Sequence, residues 1–221
     1  VVELNLLNPK PDPPHVEETE RPHPVSLLAD GLRMFRHNAA FRRLALLALA
    51  TLPFRNYLGS LYQPRFVAAG VPAMWFGLAL ALASGLSVLG ARFAHRLEER
   101  LGGRWALLLA SVLPGFFYPA LALVWRPAPA VVLFCLLSGS MSLRGPILSG
   151  QLNVHIDSQN RATVLSLISM LSGAYVAGMG LLVGRIADAS VPLALTFMGL
   201  VVLSGTALFG LKRPIERAAK A

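Results

Sequence analysis

Arg92 to Trp105 reads RFAHRLEERLGGRW, a strongly charged run set between two long apolar runs that carry almost no charge. It holds Arg92, Arg96, Arg100 and Arg104, with Glu98 and Glu99 between them and Gly102-Gly103 near its end. A charged stretch wedged between hydrophobic segments of spanning length is best explained as a tight turn at a membrane surface. Its arginines mark the side, because cytoplasmic loops carry the excess of Lys and Arg.

The composition points the same way. Of 221 residues, 55% are hydrophobic and 14% are charged, against about 25% charged in soluble domains. The mean hydropathy is positive, which places the chain in the membrane class. The formal charge of +9 does not imply a nucleic-acid partner. The basic residues sit in gaps between apolar runs, which is a topology signal rather than a binding face. The single cysteine, Cys135, permits neither a disulfide framework nor a zinc motif. The five histidines lie outside the apolar runs and lack ligand spacing, so no metal or cofactor is expected. The polar, proline-rich start is not a signal peptide. Together with Val1 it leads to the expectation that the chain is part of a longer protein.

Working outward from the charged run, six apolar runs appear: about 44–62, 72–93, 105–125, 128–152, 162–184 and 191–211. Each is near the ~20 residues a spanning helix needs. Helices are the assignment that satisfies the backbone in lipid. The expected fold is an all-α membrane protein with six transmembrane helices over 44–211. A cytoplasmic linker precedes it (1–43), with a short amphipathic helix near 26–43, and a basic cytoplasmic tail follows (212–221). Gln63 to Val71 and Ala94 to Arg104 read as loops. Fifteen of the Lys and Arg residues fall on the side of the charged run, and three (Arg65, Arg126 and Arg185) fall on the other. Both termini are therefore expected in the cytoplasm, with the protein most simply in a bacterial inner membrane.

Two arginines lie inside the runs, Arg55 in the first and Arg144 in the fourth. An intramembrane arginine is costly and ordinarily faces a cavity, a partner or a pathway. No acid lies within the six runs as bounded above, Asp188 being at an edge. The arginines therefore bind an anionic or carbonyl-bearing substrate, pair with acids elsewhere in a larger protein, or snorkel to helix carbonyls as structural residues. Thr51, Arg55, Asn56, Ser140 and Arg144 are the candidate substrate-binding residues. Gly173, Gly178, Gly180 and Gly184 give the fifth run small-xxx-small spacings suited to close helix contact. Ser138-Gly139-Ser140 has no intramembrane histidine as a base, so no catalytic set and no enzyme activity is expected.

The order of these features resembles the C-terminal half of a major facilitator superfamily transporter of the drug-exporter-like kind. A proline-rich segment with a basic lead-in resembles the linker between six-helix halves. EERLGGR (Glu98 to Arg104) is similar to the family's loop motif G-x-x-x-D-R-x-G-R-R, with Glu99, Arg100, Gly102 and Arg104 in matching places; His95 stands where the motif has its first glycine, and Gly103 replaces a basic residue. NRATVLSLISML (Asn160 to Leu171) and GRIAD (Gly184 to Asp188) resemble the two ends of the family's eleventh helix. The resemblance implies half of a twelve-helix fold whose other, N-terminal half is the partner. It implies secondary transport of a small solute by alternating access, possible drug or metabolite efflux, with proton or gradient coupling. It puts the first and fourth runs at the central cavity, the second and fifth against the other half, and the third and sixth toward lipid. It also gives Glu99 the task of capping a neighbouring helix start. The competing expectation is a self-contained six-helix protein acting as a dimeric channel or scaffold.

Overall fold

The computed structural model describes residues 39–51, 54–154 and 161–210. The expected linker, most of the amphipathic lead-in, Pro53 and the tail lie outside the described residues. The elements are α1 (Ala39–Thr51), α2 (Phe54–Ala68), α3 (Met74–Leu101), α4 (Gly103–Leu123), α5 (Pro127–Val154), α6 (Arg161–Ala189) and α7 (Val191–Gly205). A π-helical turn, Thr206–Gly210, extends α7. There is no strand among the described residues. Six segments are long and apolar enough to cross a membrane, α1 and α2 together forming the first, Arg42–Ala68. The chain is thus an all-α integral membrane protein.

The helix ends follow local chemistry. Gly102 breaks the chain between α3 and α4 at φ 77°, a conformation that side chains resist, and its N–H donates to Glu98 O at 2.9 Å. The charged run is therefore not a loop, as the sequence suggested. It is the last turns of α3, one glycine and the first turn of α4. Strong helix formers such as Leu97, Glu98, Glu99 and Arg100 keep the helix going where hydropathy stops. The carboxylates of Glu98, Glu99 and Asp188 accordingly belong to helices, each near an end. At α7, Ser190 is extended, and its Oγ accepts from the Leu193 N–H at 3.3 Å. Pro192 follows in the first turn, where its missing N–H costs nothing.

The second correction concerns Arg65. The sequence places it in a loop, yet α2 continues through Pro64 to Ala68 and Arg65 is fully buried. Its Nε–H donates to Leu121 O at 2.9 Å and its Nη2 donates to Val124 O. The guanidinium lies 4.7 Å from the centre of the Trp125 ring. Arg65 thus ties α2 to the carbonyl end of α4, where a cation is favoured.

The most extensive pairings are α3 with α5, α4 with α7 and α4 with α5. Two of these seams are set by glycines. A Cβ on Gly90 would lie 2.4 Å from Gly139 O, and one on Gly199 would lie 2.7 Å from Gly115 O. Pro119 has no N–H to offer Gly115 O, so that carbonyl is freed just where Gly199 approaches. The third span, expected to face lipid, is the most buried at 56% of its apolar window, and the sixth reaches 39%. Uniform apolarity cannot distinguish a lipid face from a bundle interior; small residues let these two helices meet closely. Each still carries an outward stripe, Leu109, Phe116 and Leu123 on α4 and Leu193 and Leu200 on α7. The second and fifth spans, α3 and α6, are the most open, with 11% and 6% buried.

Two apolar clusters result. One is aromatic, with Tyr62 stacked on Phe134 at 5.0 Å and Phe66 edge-on to Phe134 and Phe76. The other joins Leu47, Ala48, Ala94, Ala106, Leu107, Ala110, Ile147 and Leu148 near the α3–α4 break.

Candidate functional site

Several hydroxyls inside the bundle donate to carbonyls of their own helices. Thr51 Oγ1 donates to Leu47 O at 2.6 Å, Ser138 Oγ to Phe134 O at 2.8 Å and Ser140 Oγ to Leu137 O at 2.8 Å. Tyr118, fully buried on α4, donates its hydroxyl to Phe54 O at 2.9 Å and so joins α4 to the start of α2.

Between these fixed groups lies a cavity of about 90 Å³, lined by Thr51, Arg55, Pro114, Tyr118, Met141, Arg144, Gly145 and Val202. It draws on four of the six spans. It sits at mid-length: Arg55 is the central residue of Arg42–Ala68, and Pro114 and Val202 are each near the centre of theirs. Arg144 lies seven residues, roughly 10 Å at 1.5 Å per residue, from the Gln151 end of its span.

Three of the five candidate binding residues, Thr51, Arg55 and Arg144, therefore meet at one place. The other two do not line it. Asn56 is one position round the helix and exposed; Ser140 is buried and turned to its own helix. Arg144 is 8% exposed. Among the described residues it makes no hydrogen bond or ion pair, and none of their carboxylates lines the cavity. Arg55 is exposed, with Nη1 3.5 Å from Ser142 Oγ, a contact too long to count for much.

Tyr118, Met141 and Pro114 were not singled out as binding residues in the sequence. An aromatic or thioether side chain inside an apolar run gives no signal of facing a cavity. A proline inside an apolar run, like Pro114 within α4, signals a freed carbonyl but not which face of the helix meets a cavity.

In the loop motif, Glu99 is exposed and pairs with His95 Nε2 at 3.3 Å, one turn back on α3; among the described residues it caps no helix. Glu98 is the acid beside the start of α4, with Oε1 3.1 Å from the point a Cβ on Gly103 would occupy. Gln151 Nε2, from the end of α5, donates to Gly103 O at 2.6 Å. Arg100 is exposed, and Arg104 lies 5.7 Å from the centre of the Trp105 ring. Gly103 matters because any side chain there would meet Gln151 at 2.7 Å.

Of the fifth-span glycines, Gly173, Gly178 and Gly184 have nothing within 4 Å of a notional Cβ, and Gly180 receives the ring of Tyr57 at 3.4 Å. The Tyr57 hydroxyl donates to Val176 O on the same helix. Apart from this clamp, α6 keeps its glycine face open.

Compared with protein-family models, curated proteins and solved structures, the chain gives no match.

Proposed function

We propose that the chain is the C-terminal six-helix half of a secondary transporter that works by alternating access, moving a small solute through the mid-length cavity. The observation that carries this reading is the convergence of Arg55 and Arg144, from the first and fourth spans, on one cavity halfway along the bundle. An unpaired cationic group at that depth is expensive unless it meets a substrate or coupling partner. Transporters place their binding sites near the midplane. The open faces of α3 and α6 suit contact with a second six-helix half. The excess of basic residues on the side of the charged run supports cytoplasmic termini in a bacterial inner membrane.

Access to the cavity tests this. Gly145 lines it, and a side chain there meets nothing within 4 Å. In a Cys135→Ser background, Gly145→Cys should react with a membrane-impermeant maleimide in both right-side-out and inverted vesicles, without ion conductance. Reaction from one face only refutes alternating access. Conductance with access from both faces favours the dimeric channel, and no reaction from either face favours the scaffold.

A further inference from the structure

We propose that the cavity selects an organic anion, holding a carboxylate on Arg55 and Arg144 and an apolar body against Pro114, Met141 and Val202. This deepens the transporter reading and rests on its cavity.

The inventory of charges and free donors carries the inference. A lining with a carboxylate or an imidazole could admit cationic solutes. Here the Thr51 and Tyr118 hydroxyls have given their protons to Leu47 O and Phe54 O and can offer a ligand only an acceptor oxygen. Pro114, Met141, Gly145 and Val202 bring no ionisable side chain. Among the described residues, the charged groups and free donors that remain to meet a ligand belong to two guanidiniums. Each has five donors and no acceptor. Among the described residues, no Asp, Glu or His lines the cavity. The three acids among the described residues, Glu98, Glu99 and Asp188, stand at helix ends.

The two arginines are not equivalent. Arg144 is more than nine-tenths buried and has no polar partner among the described residues, so its charge is largely withdrawn from water and what remains exposed faces the cavity. A buried charge in that state costs several kcal/mol until a counter-charge arrives. Arg55 rests on Ser142 Oγ at 3.5 Å, and Ser142 itself donates to Ser138 O at 3.2 Å. That resting place supplies no negative charge, so Arg55 leaves it at little cost when an anion enters. A cation would meet two like charges. A neutral carbonyl would accept hydrogen bonds but leave both charges uncompensated. A carboxylate accepts hydrogen bonds and also brings a negative charge to offset one of the two, and guanidinium binds it with the geometry of a fork.

Benzoate, benzamide and benzamidine test this, being nearly the same shape and differing in charge. The purified protein in detergent is melted with each, at matched ionic strength. The expected result is stabilisation by benzoate, little by benzamide and none by benzamidine. Arg144→Gln should weaken benzoate binding roughly ten- to a hundred-fold, as loss of a charge-assisted bond implies. If Arg144→Gln does not fold, Arg55→Gln, at an exposed position, gives the same reading with a smaller loss. Equal stabilisation by all three compounds, no benzoate shift, or a benzoate shift untouched in a folded variant overturns the proposal. No benzoate shift is also what carboxylates from elsewhere in the protein, already seated on the arginines, would produce. The two readings fail separately. Benzoate binding with vesicle access from one face only sinks transport and leaves anion selection standing; access from both faces without benzoate binding does the reverse.

Discussion

Gly90→Ala offers a direct test of how α3 and α5 are held together. The added methyl would sit 2.4 Å from Gly139 O and 3.3 Å from Gly139 C, both backbone atoms in the middle of α5. A side chain could rotate away, but a helix backbone cannot. To restore ordinary contact, from 3.4 Å outward, the helices must part by about 1 Å near this point. A gap of 0.5–1 Å forfeits a quarter to a half of the dispersion attraction of the atoms concerned, and overpacking of this kind costs about 1–3 kcal/mol. Against this stands the helix gain of alanine over glycine, about 0.5–1 kcal/mol. The net expectation is a loss of about 1–2 kcal/mol. Gly85→Ala, on the same helix, is the control, since nothing lies within 4 Å of its notional Cβ. It should keep the helix gain with no penalty. The helix gain being common to both, the two variants should differ by the overpacking cost, about 1–3 kcal/mol, in unfolding from mixed micelles titrated with SDS and followed by circular dichroism. If Gly90→Ala proves as stable as Gly85→Ala, the close approach of α3 to α5 is wrong.

Two further predictions concern groups with opposite surroundings. Arg65→Lys keeps the charge but loses the fork that reaches both Leu121 O and Val124 O; the same SDS titration should show a loss of about 2–4 kcal/mol. Gly178→Leu, on the open face of α6, should change the stability of the six-helix bundle by less than about 0.5 kcal/mol. On the transporter reading it should still abolish transport, by keeping the second half away from α6; full transport activity in the substituted protein would count against α6 as the contact face.

Six spans are legible in the sequence because length and hydropathy are local quantities. Arg55 and Arg144 stand out for the same reason: a charge inside an apolar run needs no structure to be noticed. That both face one cavity depends on the angular position of each residue and on how four spans pack. What the sequence hides is relational. Arg65 looks like a loop residue until α2 is seen to extend past Pro64 and bring it under the end of α4. The fifth-span glycines are conspicuous because they recur along one helix, yet Gly173, Gly178 and Gly184 touch nothing. The glycines that do set contacts, Gly90 with Gly139 and Gly115 with Gly199, lie in different spans, and no spacing within one segment reveals them. Likewise the end of α3 was misread because charge ends a hydropathy window but does not end a helix.

The pairing of α4 with α7 has a consequence for how the protein is made. About seventy residues separate the two helices along the chain. As the ribosome delivers the spans in turn, α3 meets α5 early, and the Gly90–Gly139 seam can close while the rest is still being synthesised. The surface of α4 around Gly115 has to wait, facing lipid or the insertion machinery, until the final span arrives with Gly199. The pairing of α4 with α7 is completed only by the sixth described span, and a chain released before that helix enters the bilayer would leave its most buried span without the neighbour it is shaped to meet.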